Sequence, residues 1–413
     1  MKKTFLFLLL AILSTLPARA EIRVDADFPG GNVQVEAIDQ AANVVRVRPD
    51  LRDTQGGWFY FNFRVSGAEN RTVTFQFPVS SISFGALGPN VSTDGGKTWH
   101  FLGEKDFLAS GKEFPNDAHE FTWTFGPGDS DVRFAFCTPY TQSNWEEFVK
   151  PYRSWEDVRF ETLCRSRSGK RDVELFRLPY LGEGKPRFYI AFTARHHACE
   201  ASANPVMEGM VAFCLSDAPE AQWLRQNVEI VFIPFMDKDG VEDGDQGKNR
   251  RPHDHNRDYV QDIYPTVKAF KALVMKESVG SQVVFMDLHS PWIRGNEHEF
   301  YYSLGPEGEP MNARWNRFRE KLAENQKDGT LKYESRWDIP GGVGYNQEKT
   351  FAGNGDQASA TMWARRLPNA YNSFCMEFGY ALCGHAILTP ETGRELGRNV
   401  MKTWADVLKE ENL

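Results

Sequence analysis

From Glu21 to about Phe136 apolar and polar positions alternate with a period of two. Phe59, Phe61, Phe63 and Val65 interleave with Tyr60, Asn62 and Arg64, and Val73, Phe75 and Phe77 with Thr72, Thr74 and Gln76. Successive side chains of a strand point to opposite faces. Such runs, broken by Gly, Asn and Asp, therefore describe half-buried antiparallel strands of a β-sandwich. The segment Ser92 to Trp99 matches the Asp-box pattern Ser-x-Asp-x-Gly-x-Thr-Trp, in which the Asp and Ser side chains tie down a tight turn. A single copy speaks for one hairpin and against a propeller built from repeated blades.

Near Cys137-Thr138-Pro139-Tyr140 the period changes. Short apolar runs at Val173 to Leu178, Phe188 to Ala194, Val228 to Phe235, Val283 to Leu288 and Ser373 to Phe378 predict buried strands. Between and after them, helical spacing is expected over Val206 to Leu215, Val267 to Val274 and Met311 to Leu322. A final helix begins after Thr389-Pro390 and carries Leu396, Val400, Trp404 and Val407 on one stripe. The expected fold is an N-terminal antiparallel β-sandwich followed by an α/β domain with a mixed, largely parallel central sheet. The expected division is 1–20, 21–136 and 137–413. In open sheets of this kind, sites form beyond the carboxyl ends of the strands.

Residues 1–20 have a basic start (Lys2, Lys3), an apolar run from Phe5 to Leu13 and the small-x-small ending Ala18-Arg19-Ala20. This reads as a cleaved secretory signal of bacterial type, with a mature chain from Glu21 in the periplasm or outside the cell. The apolar run is too short for a stable membrane span, and no other stretch approaches the needed length. The net charge is −8, with no large basic cluster, which argues against nucleic acid as a partner. Six cysteines are sparse for 413 residues and show no Cys-x-x-Cys pair, so buried thiols and disulfides are equally open.

Candidate chemistry gathers at the strand ends. His197 and Glu200 stand three residues apart after the Phe188 to Ala194 run, an imidazole and a carboxylate that are both good zinc donors. By itself a His-x-x-Glu pair is common and ordinarily structural. The run Val283 to Leu288 ends on His289, which could complete a His, Glu, His set, although a lone strand-end His is more often a satisfied core residue. Glu377 sits inside an apolar strand, where a carboxylate is either ion-paired or poised as a general base. The stretch from Asp239 to Arg257, rich in Gly, Arg and Asn, suits a loop offering donors to an anion, or simply a solvated charged loop. No Gly-x-Ser-x-Gly elbow is present, which weighs against a serine hydrolase.

The pieces occur in an order that resembles the M14 zinc metallocarboxypeptidases, in particular the cytosolic-carboxypeptidase-like branch. Trp58-Phe59-Tyr60-Phe61-Asn62-Phe63-Arg64-Val65 resembles its N-domain signature, and Pro139-Tyr140-Thr141 the entry to its catalytic domain. Ala194 to Glu200 resembles the Ala-Arg-x-His-Pro-Gly-Glu zinc motif, with Ala198-Cys199 in place of Pro-Gly. Asp287-Leu288-His289, Asp254-His255-Asn256-Arg257 and Ser373 to Glu377 resemble the third-ligand, substrate-gripping and catalytic-Glu segments.

The resemblance implies one zinc ion per chain on His197, Glu200 and His289, and Glu377 as the proton-transferring base. It implies Asn256 and Arg257 on the carboxylate of a peptide or protein C-terminus. Arg250 is the expected oxyanion donor, with Arg251 a rival because the loop spacing departs from the family pattern. Tyr345 and Tyr371 are candidates for a tyrosine over the substrate, and Pro340 to Gly355 for a lid or a plain surface loop. Arg365 and Arg366 could favour an acidic terminal side chain or be a solvated pair. The implied activity is zinc-dependent carboxypeptidase hydrolysis. Alternatives are a cell-wall peptide amidase of the same fold and an inert peptide-binding protein.

Overall fold

In a computed structural model, residues 20–79, 84–294 and 299–411 are described. The expected secretory segment lies almost wholly outside them. The N-terminal strands form two sheets, one of five strands and one of four. They meet face to face through phenylalanines: Phe63 packs on Phe75 with ring centroids 5.7 Å apart, and Phe134 on Phe75 and Phe121 at 4.9 and 5.1 Å. One pairing departs from the expected antiparallel pattern, since Val44–Arg48 runs parallel to Thr72–Gln76. The period-two signal is the same for either direction, so it could not distinguish them.

Strand pairing in the run from Trp58 begins only at Asn62–Ser66. Residues before it dock on the second half of the chain instead. The Tyr60 amide donates to Gln246 Oε1 at 2.8 Å while Gln246 Nε2 donates to the Tyr60 carbonyl at 2.7 Å. Phe59, Phe136 and Tyr380 continue the contact as a buried aromatic chain, with centroids 4.6 and 4.9 Å apart along it. The Asp box forms a hairpin turn between Asn90–Ser92 and His100–Phe101. Asp94 accepts from the Lys97 and Thr98 amides at 2.9 and 3.0 Å, and Ser92 Oγ from the Gly96 amide at 2.8 Å.

The second half is built on a seven-stranded mixed sheet. Its order is Arg159–Arg165, Asp172–Leu178, Val228–Ile233, Phe188–Ala194, Gln282–His289, Ala370–Glu377 and Tyr302–Leu304. The four consecutive strands from Val228–Ile233 to Ala370–Glu377 are parallel, and the outer pairings are antiparallel. Phe188–Ala194 and the last seven residues of Gln282–His289 are buried throughout, because helices cover both faces. Helices Ala203–Cys214, Met311–Asn325 and Pro390–Glu410 bury the expected stripes, including Leu396, Val400, Trp404 and Val407. Gly397 permits a close helix crossing: a Cβ there would lie 1.9 Å from the Val206 carbonyl oxygen. All six cysteines carry free thiols, five of them buried. Among the described residues no helix is long and apolar enough to cross a membrane.

Candidate metal centre

Strand register sets the site. Thr193 pairs with Asp287 and His289 with Glu377 in adjacent parallel strands, so His289 and Glu377 finish level with each other at the carboxyl edge. Beyond Ala194 the chain must turn sharply, and Arg195 does so with φ +61°, a left-handed conformation costly for a side chain of its size. Its buried guanidinium stabilises the turn by donating to the carbonyls of Ala198 and Tyr140, the latter at 2.9 Å, and to Asn204 Oδ1 at 2.8 Å. The turn delivers His196, His197 and Glu200 to the strand end. Against it lies the loop carrying Gln246, whose carbonyl accepts from the Cys199 amide at 3.1 Å. Gly247 has φ +77°, and a Cβ there would stand 2.1 Å from the Ala198 nitrogen, so only glycine lets the two loops touch.

His197 and His289 converge on Glu200. Nδ1 of His197 lies 2.9 Å from Glu200 Oε1, and Nδ1 of His289 lies 2.8 Å from Glu200 Oε2. Each ring turns its Nε2 to a second carboxylate, at 3.5 Å to Asp254 for His197 and 2.7 Å to Asp287 for His289. One donor atom from each of His197, Glu200 and His289 lies within 4.8 Å of the others. Two imidazoles and a carboxylate, with carboxylates orienting the rings from behind, fit a zinc ion and leave room for a water. A second cluster, His196, Asp287 and His289, meets the same distance test. There, however, His196 is fully buried and spends Nδ1 on Asp287 at 2.9 Å and Nε2 on the Tyr259 hydroxyl at 2.7 Å. It is the ring behind the site.

A cavity of about 290 Å³ opens over these groups and is lined by His197, Glu200, His289, Asn256, Arg257 and Glu377, among others. Glu377 Oε2 is buried with no hydrogen-bond partner. Burial pushes this carboxyl up, with His289 opposing the shift and Glu200 adding to it. An unpartnered buried carboxylate oxygen is costly, and it fits a group kept free to take a proton. Glu200 goes the other way: burial would raise it, yet Lys248 and the two imidazoles hold it well below the usual carboxylate range.

Asn256 and Arg257 line the same cavity, as expected. Asn256 Oδ1 accepts from the Ala360 amide at 2.9 Å, while Arg257 lies 4.9 Å over the Phe351 ring and donates to the Asn256 carbonyl at 3.0 Å. Arg250 is not brought to the cavity. Three acids hold its guanidinium elsewhere: Asp237 at 2.6 Å, Asp53 at 3.2 Å, and Asp245. Its rival Arg251 is exposed and donates to Gln55 Oε1 at 3.1 Å.

The cation that does line the cavity beside Glu200 is Lys248, which sequence reasoning missed within a run of four basic and polar residues. Trp58 and Trp292 also line it, with ring centroids 5.2 Å apart, so the N-terminal half contributes to the wall. Tyr345 is on the wall, its hydroxyl 2.8 Å from that of Tyr302, whereas Tyr371 packs against Arg314 away from the cavity. The Pro340 to Gly355 stretch forms part of this wall. It is tied down by Asn346, whose side chain donates to the Gly305 and Ile339 carbonyls, each at 2.9 Å. Arg365 does not reach the cavity and is spent on the Ser373 and Gly305 carbonyls at 3.0 and 3.2 Å, while Arg366 pairs with Glu348 at the surface.

No protein-family profile matches the chain. Among curated proteins it is 24% identical to mouse cytosolic carboxypeptidase 6 over 414 residues, covering 94% of this chain and 74% of that one. It is 26% identical to cytosolic carboxypeptidase 2 of Xenopus tropicalis over 380 residues, covering 85% of this chain. The chain spans only 38% of that frog protein's length. Among solved structures, a metallo-carboxypeptidase from Pseudomonas aeruginosa superposes with a TM-score of 0.68 at 23% identity, covering 94% of this chain and 99% of that one. One from Burkholderia cenocepacia gives 0.69 at 16%, covering 95% and 100%. The curated relatives are cytosolic carboxypeptidases, and the solved structures show a metallocarboxypeptidase-like fold.

Proposed function

We propose that the chain is a zinc-dependent carboxypeptidase that hydrolyses the C-terminal peptide bond of peptides or proteins. One observation carries this reading. His197 and His289 turn Nδ1 toward Glu200 in a cavity that also holds a carboxylate with one partnerless oxygen, Glu377 Oε2, and a guanidinium, Arg257. His197, Glu200 and His289 would hold one zinc ion, whose charge, when bound, acidifies water and polarises a carbonyl.

The remaining work falls to the chain. Arg257, with Asn256 beside it, binds the terminal carboxylate of the substrate, for which a planar fork of donors is suited. That contact confines cleavage to the last peptide bond. Glu377 takes the proton of the attacking water at its free Oε2 and returns it to the departing amine. Asp254 and Asp287 keep the two imidazoles oriented.

The test is release of C-terminal amino acids from a varied peptide library, with muropeptides alongside to detect cell-wall amidase action. Activity should vanish with a chelator, return with zinc, and fall about 10³- to 10⁴-fold in Glu377→Gln, the upper part of the usual range for general acid–base catalysis because the same group serves both proton transfers. An undiminished rate in that variant would sink the assignment of the base. Export is part of the same reading: residues 1–20 act as a cleaved signal, and N-terminal sequencing of protein from the periplasm or medium should begin at Glu21.

A further inference from the structure

Adding water to a peptide carbonyl places negative charge on the carbonyl oxygen, and a fixed positive donor aimed there is among the larger contributions to such catalysis. Arg250 and Arg251 face other partners. Arg257, at the place proposed for the substrate carboxylate, is already committed. Lys248 is the other Lys or Arg among the residues lining the cavity.

Its position is over-determined. Thr54, from the N-terminal half, donates from Oγ1 to the Lys248 carbonyl at 2.9 Å, and Asn249 Nδ2 donates to the Gln55 carbonyl at 2.8 Å. Gly247 locks the preceding residue against the His197 to Glu200 turn. The lysine stem is buried, and Nζ lies 5.5 Å from the Trp58 ring centre. An ammonium has three N–H donors. One meets Glu200 Oε1 at 2.7 Å and one the Ser290 carbonyl at 2.9 Å, while the Pro291 carbonyl is a long 3.4 Å away. The third has only that long contact, and with Nζ on the cavity wall it is the donor a substrate oxygen can take.

We propose that Lys248 is a catalytic residue whose ammonium donates a hydrogen bond to the oxyanion formed during peptide hydrolysis. This rests on the carboxypeptidase reading. As the water oxygen bonds to the carbonyl carbon, Glu377 takes its proton, and the π pair moves onto the carbonyl oxygen, which Lys248 meets with its third N–H. On collapse that pair reforms the carbonyl, the carbon–nitrogen bond breaks, and the nitrogen leaves with the proton from Glu377. Lys248 keeps its own proton throughout. The N-terminal half thereby has a part in the reaction, because Thr54 holds the loop that presents the ammonium.

The test compares Lys248→Met and Lys248→Arg with the wild-type holoenzyme, measuring kcat and KM, bound zinc, and affinity for a phosphonate analogue of an acylated dipeptide and for a free amino acid product. Lys248→Met should retain its zinc and lose roughly 10²- to 10³-fold in kcat with KM within a few-fold. Its phosphonate affinity should fall in step with kcat/KM while amino acid affinity holds, and Lys248→Arg should recover part of both losses. Thr54→Val, outside the cavity, should lower kcat more mildly at full zinc occupancy. Zinc-loaded Lys248→Met with kcat within about threefold of wild type would overturn the proposal. So would a loss explained by missing zinc or by failure to fold, either of which makes Lys248 a structural partner of Glu200. Failure of the carboxypeptidase reading looks different: wild-type holoenzyme would release no amino acid from any peptide.

Discussion

Nε2 of His289 donates to Asp287 Oδ2 at 2.7 Å, while the other oxygen of that carboxylate is held by Thr193 at 2.7 Å and His196 at 2.9 Å. Asp287 is thus clamped from two strands and the adjoining turn, and it in turn fixes the rotation of a ring whose opposite nitrogen faces Glu200. Asp287→Ala frees that ring without removing a donor atom. Zinc affinity, measured by competition with a chromophoric chelator, should weaken about 10- to 100-fold, the usual cost of losing such a partner. Unaltered affinity would show that strand packing and Asn256, whose Nδ2 stands 3.2 Å from the same ring nitrogen, suffice to orient His289.

Arg250 joins Asp237, Asp53 and Asp245, and Asp237 is almost fully buried. Removing the cation leaves buried carboxylates uncompensated. Arg250→Met should therefore destabilise the protein by about 3 to 5 kcal/mol in urea unfolding. The fraction still folded should keep kcat within a few-fold of wild type. A kcat loss of two orders of magnitude at unchanged stability would restore Arg250 to the oxyanion.

The contrast between Arg250 and Lys248 marks where sequence reasoning stops. Phe188 to Ala194 and Val283 to Leu288 are legible as central strands because burial on both faces leaves continuous apolar runs. His197, Glu200, His289 and Glu377 are legible because each closes, or lies just beyond, such a run. Nothing local tells which cation of Lys248-Asn249-Arg250-Arg251 turns inward. That choice is made by Asp53 and Thr54, nearly two hundred positions earlier, and by the close passage of Gly247 over Ala198. The acids at Asp237 and Asp245, flanking a loop of cations, are the available signal that one arginine would be consumed structurally. The edge strand Arg159–Arg165 was missed for the opposite reason: no residue of it is fully buried, so its apolar pattern is weak.

Glu299 carries a pH dependence away from the site. Burial pushes its carboxyl up from 4.5 to about 8, with Arg294 opposing the shift and Glu113 adding to it, and Oε1 has no partner. The folded state then holds a proton that the unfolded chain has released above the ordinary value. Stability should fall as pH rises from the ordinary value toward about 8, and little further above it. Glu299→Gln removes the titration. Its thermal unfolding should match wild type near about pH 5 and exceed it near about pH 8.5, by up to about 3 kcal/mol. An equal difference at both values would assign the effect to packing.

Arg257 projects into the cavity from the turn after Asp254, its guanidinium stacked 4.9 Å from the Phe351 ring and bonded to the Asn256 carbonyl. Stacking and that single bond leave further N–H donors of the fork for a ligand. A hydrogen bond to a charged group contributes about 1.5 to 3 kcal/mol, so Arg257→Met should raise KM for free C-terminal peptides by roughly 10- to 100-fold with a smaller change in kcat. It should also erase the preference for a free carboxylate over a C-terminal amide, which wild type should show in paired assays. Arg257→Lys should recover only part of the loss, because a point charge cannot reproduce two parallel donors. If KM and the amide discrimination both survive in Arg257→Met, the terminal carboxylate is bound elsewhere in the cavity, and Lys248, the other Lys or Arg lining it, becomes the candidate.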